Sequence, residues 1–329
     1  MTNASTRIAF VTDLHLGSSS AACARLASFS AKAAQLRNRG IRTIINGGDL
    51  FDLRGDMWRP NGVVDSSLSM ERRTELSGYS AALVSDLFGK IASKTGSGGL
   101  FFSVLGNADF LSAKALYGFK AAQPLKTFHS FQSPLADPYS GLASWTLREE
   151  GLLPIFIAGL SGIPALSCDA GARGVNENNP WYMGVLSSER YNELVSKLGI
   201  PGRENIVVTH MPAQGTMDSF HHIGMDKWFT DQGSVELRAA IEELKPILHL
   251  TGHVHGAPTV AGDYRPFVVS YGGNTVTVNP GGGDLHDEEI CGTKGVKIAV
   301  IDPFKLIEMR NAGSLTEENI RAEKAIEII

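Results

Sequence analysis

The chain has 329 residues, with 30 Lys and Arg against 34 Asp and Glu and a formal net charge of -4. That balance lacks the basic footprint tight nucleic-acid binding requires, and no run approaches the ~18 apolar residues of a membrane span. Cys23, Cys168 and Cys291 stand far apart with no C-x-x-C pair; they read as free thiols in a reducing compartment, and the absence of a basic-then-apolar leader before Ile8 points to the cytoplasm.

The first predicted element is a strand over 8–11, followed at once by Asp13-Leu14-His15. A helix over 21–39 comes next, with Gly40 as its stop, then a strand at 43–45 running into Gly48-Asp49. Residues 51–69, with Gly55, Trp58, Pro60 and Gly62, read as a loop, in which Arg54, Trp58 and Arg59 are either substrate contacts or solvated. Residues 69–94 read as a long helix with Leu76, Leu83, Leu87 and Ile91 on one stripe. A turn at 95–99 leads to a strand over 100–105 and then Gly106-Asn107.

Irregular strands are predicted within 125–144, a clear strand at 155–160, and a Gly- and Asn-rich insertion or lid over 164–179. A helix over 187–198 precedes a strand at 206–208 and the lone His210; His221-His222 follows in the next segment. A helix over 236–244 leads to a strand at 247–250 and Gly252-His253-Val254-His255. Strands at 275–278 and 296–301 come after. The tail opens on Ser314-Leu315-Thr316-Glu317, a capping-box spacing, and is predicted to continue as a short helix to Ile329. There is no internal repeat.

Five polar blocks therefore each follow an apolar, β-rich run, and in α/β folds ligands bind beyond the carboxyl ends of strands. Asp and Asn offer oxygen and His offers nitrogen, a mixed set that suits Mn, Fe or Zn. Asp13 and His15 are two residues apart, as are His253 and His255; extended residues at that spacing point to one side. Three carboxylate or amide groups (Asp13, Asp49, Asn107) and four imidazoles (His15, His210, His253, His255) exceed one tetrahedral ion. They fit a pair of ions sharing a bridging carboxylate.

The ordered blocks D-x-H, G-D, G-N, a lone H and G-H-x-H, from Asp13 to His255, resemble the calcineurin-like metallophosphoesterases. Short motifs recur by chance, but a set of strand-end polar residues that merely satisfy loop backbone explains one or two such blocks, not five in order. The resemblance implies that Asp13, His15, Asp49 and His255 hold one metal and Asp49, Asn107, His210 and His253 the other, with Asp49 bridging. It implies two divalent ions, Mn2+ first and Fe or Zn as alternatives, and a hydroxide between them as the nucleophile. The implied fold is α/β, a four-layer sandwich of two mixed β-sheets flanked by helices. Since the blocks must converge, residues 1–313 form a single catalytic domain and 314–329 a helical tail.

One departure bears on function. Where the family often has G-N-H followed by Asp or Glu, this chain reads Gly106-Asn107-Ala108-Asp109. The missing His is thought to protonate the leaving group or bind the phosphate, a role worth about 10²–10⁴-fold in general-acid catalysis. The resemblance, with Ala108, points to a small phosphoester substrate and to a phosphodiesterase. A phosphomonoesterase or protein phosphatase and a non-catalytic metal-binding scaffold are the alternatives. His221 and His222 are candidates for the leaving-group or phosphate contact, against a reading as solvated loop histidines. Asp52 either orients a ligand His or caps a turn. His249 alternates with Leu248 and Leu250, so it is expected to be a hydrogen-bonded core His or one standing behind a ligand; His129 and His286 are expected at the surface. Nothing in the sequence sets the oligomeric state.

Overall fold

The computed structural model describes residues 6–16, 20–50, 100–104, 106, 128–130, 143–147, 154–160, 163–164, 185–186, 188–222, 227–229, 233–260, 263–282 and 295–329. Asp52, the loop over 51–69, the helix over 69–94, Asn107, Ala108, Asp109, most of the 164–179 insertion, Cys168, His286 and Cys291 lie outside them.

Twelve strands build two six-stranded sheets. Sheet one contains β1 (Ile8–Val11), β2 (Thr43–Asn46), β3 (Leu100–Ser103) and β4 (Phe128–Ser130). Sheet two contains β5 (Ala143–Leu147), β6 (Ile155–Leu160), β7 (Glu204–Thr209), β8 (Leu248–Leu250), β9 (Phe267–Ser270) and β10 (Thr275–Val278). The chain then returns to sheet one as β11 (Ala299–Ile301) and β12 (Ile326–Ile328). In sheet one β1, β2, β3 and β4 run parallel in that order, and β11 and β12 add antiparallel beside β1. In sheet two β6, β7, β8 and β10 are parallel, with β5 and β9 as antiparallel edges. Both sheets are therefore mixed.

Side chains alternate along each strand, and here both faces find apolar partners. Ile8, Phe10 and Ile45 of sheet one meet Ile206, Val208, Leu248, Leu250, Val276 and Val278 of sheet two in one buried core. Ala9, Val11 and Ile44 face the other way and pack with Phe29, Ala33 and Leu36 of helix α1 (Ser20–Asn38). Val207 and Ala158, on the outer face of sheet two, pack against α2 (Ser188–Leu198) and α3 (Val235–Leu244) through Tyr191, Leu194, Leu198, Leu237 and Ile241. Helices thus cover both outer faces of the paired sheets. Strands buried on both faces read as continuous apolar runs, which is why they stand out in the sequence. No described helix is long and apolar enough to cross a membrane.

One expectation is refined and another corrected. The irregular strands within 125–144 divide between sheets, with β4 in sheet one and the start of β5 in sheet two. The tail helix does not reach Ile329. Helix α4 (Pro303–Asn311) precedes it, and α5 spans only Glu317–Ala322. Thr316, not Ser314, caps α5 by accepting from the Asn319 N–H, while the Ser314 hydroxyl donates to the Met309 carbonyl. Lys324 at φ 53° ends the helical turn, and Ile326-Glu327-Ile328, alternating at period two, becomes the edge strand β12.

Candidate metal centre

Strands β1 and β2 leave sheet one side by side, and their pairing continues past the strand ends. The Asp13 N–H donates to the Gly48 carbonyl (3.0 Å), His15 to Asp49 (2.9 Å) and Leu16 to Leu50 (2.9 Å). This extension is not regular β structure, since Asp13, His15 and Asp49 have φ of 53°, 45° and 49°. His253 joins them at 64°. Asp and His are among the non-glycine residues that tolerate the left-handed region best, and here it aims side chains back over the strand ends. Asp13 and His15 thus face one site because of paired left-handed residues, not because they are extended.

Sheet two supplies the facing half. His210 follows β7 and its carbonyl accepts from the Gly252 N–H at 3.0 Å, so the exits of β7 and β8 are joined. The two sheets meet through polar groups. The His253 N–H lies 3.2 Å from both carboxylate oxygens of Asp13, and His210 Nδ1 lies 2.9 Å from the Gly47 carbonyl. A carbonyl only accepts, so His210 donates from Nδ1, and its Nε2 is turned toward the site.

His210 Nε2 faces Asp49 Oδ1 at 3.6 Å, and Asp49 Oδ2 lies 3.8 Å from His15 Nε2. His255 Nε2 stands 3.1 Å from Asp13 Oδ1 and 3.2 Å from His15 Nε2. Two groups of donor atoms, Asp13/His15/His255 and Asp13/Asp49/His210, each lie within 4.8 Å of one another. His253 is beside them, its ring centroid 5.1 Å from that of His210. The two histidines of Gly252-His253-Val254-His255 therefore part: His255 joins Asp13 and His15, and His253 joins His210. Asp13 belongs to both groups, so by geometry it is shared as fully as Asp49.

The donor set fits metal. Metal ligands must be deprotonated. Burial opposes ionisation of Asp13, but attraction and a hydrogen bond from His255, with His210 and His15 nearby, outweigh it and hold the carboxyl well below the usual carboxylate range. Burial, helped by the adjacent His210 ring, pushes His253 down to about 4 against the pull of Asp49 and Asp13, leaving a neutral imidazole at pH 7.

Glycines make room for this convergence. A Cβ at Gly106 would fall 2.1 Å from Asp49 Oδ1 and 2.6 Å from His210 Cε1, so the backbone just before Asn107 packs against the site. His221 and His222 lie in a short ribbon (Phe220–His222 with Lys227–Phe229), opposite Trp228 and Lys227; their side chains are outside the described residues.

Several bracing residues escaped the sequence reading. The Thr12 hydroxyl donates to Asp13 Oδ2 at 2.7 Å. Arg25, from α1, donates through Nε to the Leu14 carbonyl (2.8 Å) and through a terminal nitrogen to the His15 carbonyl (2.5 Å). Thr251 Oγ1 donates to the His210 carbonyl at 3.2 Å. Thr12 and Thr251 adjoin the motifs and were open to suspicion on that ground; nothing in the sequence singles out Arg25.

Comparison with known proteins places the chain in a family. The family model for calcineurin-like phosphoesterases matches residues 6–257. No curated protein matches the sequence. One solved crystal structure aligns over 91% of this chain and 96% of its own at 15% identity, with a TM-score of 0.54, which shows a common fold. TT1561 of Thermus thermophilus aligns over 91% of this chain and 95% of its own (15% identity, TM-score 0.49). A dimetal phosphatase from Danio rerio aligns over 89% and 92% (10% identity, TM-score 0.49). With the family model matched over most of its length, the chain belongs to the calcineurin-like phosphoesterases, metal-dependent hydrolases of phosphoester bonds.

Proposed function

We propose that this protein is a dinuclear metal-dependent phosphodiesterase, with Asp13, His15, Asp49, His210, His253, His255 and Asn107 holding two divalent ions, Mn2+ in preference to Fe or Zn. The observation that carries the reading is Asp49, whose two carboxylate oxygens each face a different imidazole, His210 at 3.6 Å and His15 at 3.8 Å. A carboxylate so divided suits two ions. When bound, such ions lower the pKa of water toward neutrality and neutralise the phosphoryl oxygens.

The chain's own residues set the geometry. The Gly47 carbonyl fixes the His210 tautomer, Thr12 and the His253 N–H hold the Asp13 carboxylate, and Arg25 braces the backbone that carries His15. Ala108 offers no imidazole to protonate a poor leaving group. That omission favours diesters with better leaving groups over alkyl monoesters and phosphoproteins. His221 and His222 are proposed for the leaving-group or phosphate contact, since their ribbon follows directly on the His210 turn. The cysteine pattern favours a cytoplasmic setting.

The test is turnover by metal-stripped protein on bis-p-nitrophenyl phosphate and p-nitrophenyl phosphate, with Mn2+, Zn2+, Fe2+ or Mg2+ restored singly. Diester cleavage restored best by Mn2+ and reduced to background in Asp49→Asn is expected. Alanine at His221 or His222 is expected to alter the pH profile. Cleavage of the monoester alone would replace the diesterase reading with a phosphatase, and a folded protein that binds no metal would leave a scaffold.

A further inference from the structure

His249 lies in β8 and is fully buried. Its neighbours Leu248 and Leu250 face the core between the sheets, so His249 faces the outer side, in register with Val207 and Thr277. Val207 is part of the apolar contact with α2 and α3. An imidazole is costly in such a place, and its Nδ1 finds no hydrogen-bond partner among the described residues. A leucine would suit an apolar position better, so the ring is to be explained by the bond it makes among the described residues, that of its Nε2.

That bond leads to the metal centre. His249 Nε2 lies 2.9 Å from Thr209 Oγ1, and Thr209 Oγ1 lies 2.7 Å from the Met211 carbonyl. The carbonyl can only accept, so the hydroxyl donates to Met211 and receives its own hydrogen bond from His249 Nε2–H. The relay runs His249 to Thr209 to Met211 and spans His210. The carbonyl of His210 is held in turn by Gly252 and Thr251, which follow His249 along the same stretch of chain. The turn over 209–211 is thus tied to the β8 segment on both sides of the ligand, while the ligand's ring is tied across to Gly47 in sheet one.

We propose that His249 is a positioning residue: through Thr209 it sets the turn that aims His210 Nε2 into the metal centre. The proposal rests on the metal-centre reading above. It separates His249 from the described candidate ligands, which lie beyond the strand ends, and gives it a task that leucine cannot perform.

The experiment has two arms. In metal-free protein, the His210 Nδ1–H proton, held by the Gly47 carbonyl, is followed by histidine-labelled NMR. In wild type it is protected; in His249→Leu it is expected to be lost to exchange. In the second arm, Mn2+ is titrated calorimetrically into wild type, His249→Leu and His249→Gln. One of two Mn2+ equivalents is expected to weaken by about 10–100-fold in the leucine variant, the usual cost of removing a group that orients a ligand, with the other retained. Glutamine, which keeps an N–H for Thr209, is expected to restore both readouts. Should His249→Leu fail to fold, Thr209→Val breaks the same relay with almost no change of shape and Thr209→Ser should rescue it. A folded His249→Leu or Thr209→Val with the His210 proton protected and both affinities intact overturns the proposal. So does equal weakening of both equivalents without rescue, which marks a merely structural role. Wild type that protects the proton but binds no Mn2+ overturns the metal reading instead.

Discussion

Gly252 shows how little slack the site has. A Cβ there would fall 2.0 Å from Thr12 Oγ1 and 2.5 Å from Asp13 Oδ2, and both groups are buried and bonded to each other. Gly252→Ala is therefore expected to cost about 1–3 kcal/mol, as overpacking does, and to weaken Mn2+ binding; thermal denaturation and metal titration would show both, and unchanged affinity would mean the Asp13 carboxylate is free to move. His249 carries a second prediction at this scale. Burial pushes it down to about 3, whereas an unfolded histidine titrates near 6.5. Below about pH 6.5 the unfolded chain takes up a proton that the folded one refuses. Its contribution to stability is thus lost as pH falls toward 3, at up to about 1.4 kcal/mol per pH unit. Urea unfolding of metal-free protein at several pH values should show a flatter dependence for His249→Leu than for wild type; equal slopes would refute a neutral His249. The sequence displays such residues by type and spacing. It does not display which carbonyl an imidazole meets across the sandwich, and the His210–Gly47 and Arg25–His15 contacts were invisible for that reason.

Elements were legible where one face or two faces are continuously apolar. β1, β2 and β7 announce themselves as β-branched runs because helices and the opposite sheet bury both of their sides. Helix α1 shows its stripe of Phe29, Ala33 and Leu36, and α3 starts at the Gly233-Ser234 signal, with the Ser234 hydroxyl accepting from the Leu237 N–H at 3.0 Å. The tail misled because two periodicities overlap there. Helical spacing from Ser314 onward gives way at Lys324 to the alternation of Ile326 and Ile328, and only the edge offered by β11 decides between them. Helix α4 went unread although Asp302-Pro303 is a helix start, an N-cap carboxylate followed by proline at the first position. The cap assignment is open to test. Thr316→Ala is expected to lower stability by about 1 kcal/mol in denaturant titration, whereas Ser314→Ala leaves the α5 cap intact; a larger effect at Ser314 would restore the capping-box reading.

Across the whole molecule, the two ends of the sandwich are closed by different means. At the end away from the candidate ligands, α4 and α5 plug the gap between the sheets with Phe304, Leu306, Met309, Leu315 and Ile320. Ionic and ring contacts tie that plug to sheet two: Arg310 pairs with Glu204 of β7 and Arg321 lies 4.7 Å over the Phe267 ring of β9. On the sheet-one side, Arg7, just before β1, pairs with Asp302, the N-cap of α4, at 3.5 Å. At the other end the sheets meet through Asp13, His210, His253 and Gly47, polar groups gathered around the candidate metal centre.

With ions held at the candidate site, a sandwich riveted by apolar packing at one mouth and by exchangeable ions at the other would behave as a clothes-peg. Withdrawing the ions would leave the jaws held by a few hydrogen bonds across the mouth, while the spring is untouched. Amide hydrogen exchange should then rise on chelation at 12–16, 47–50 and 251–255 and stay unchanged at 303–311 and 317–322. The protein's breathing would be graded along the strands, set at its working end by the supply of metal in its surroundings.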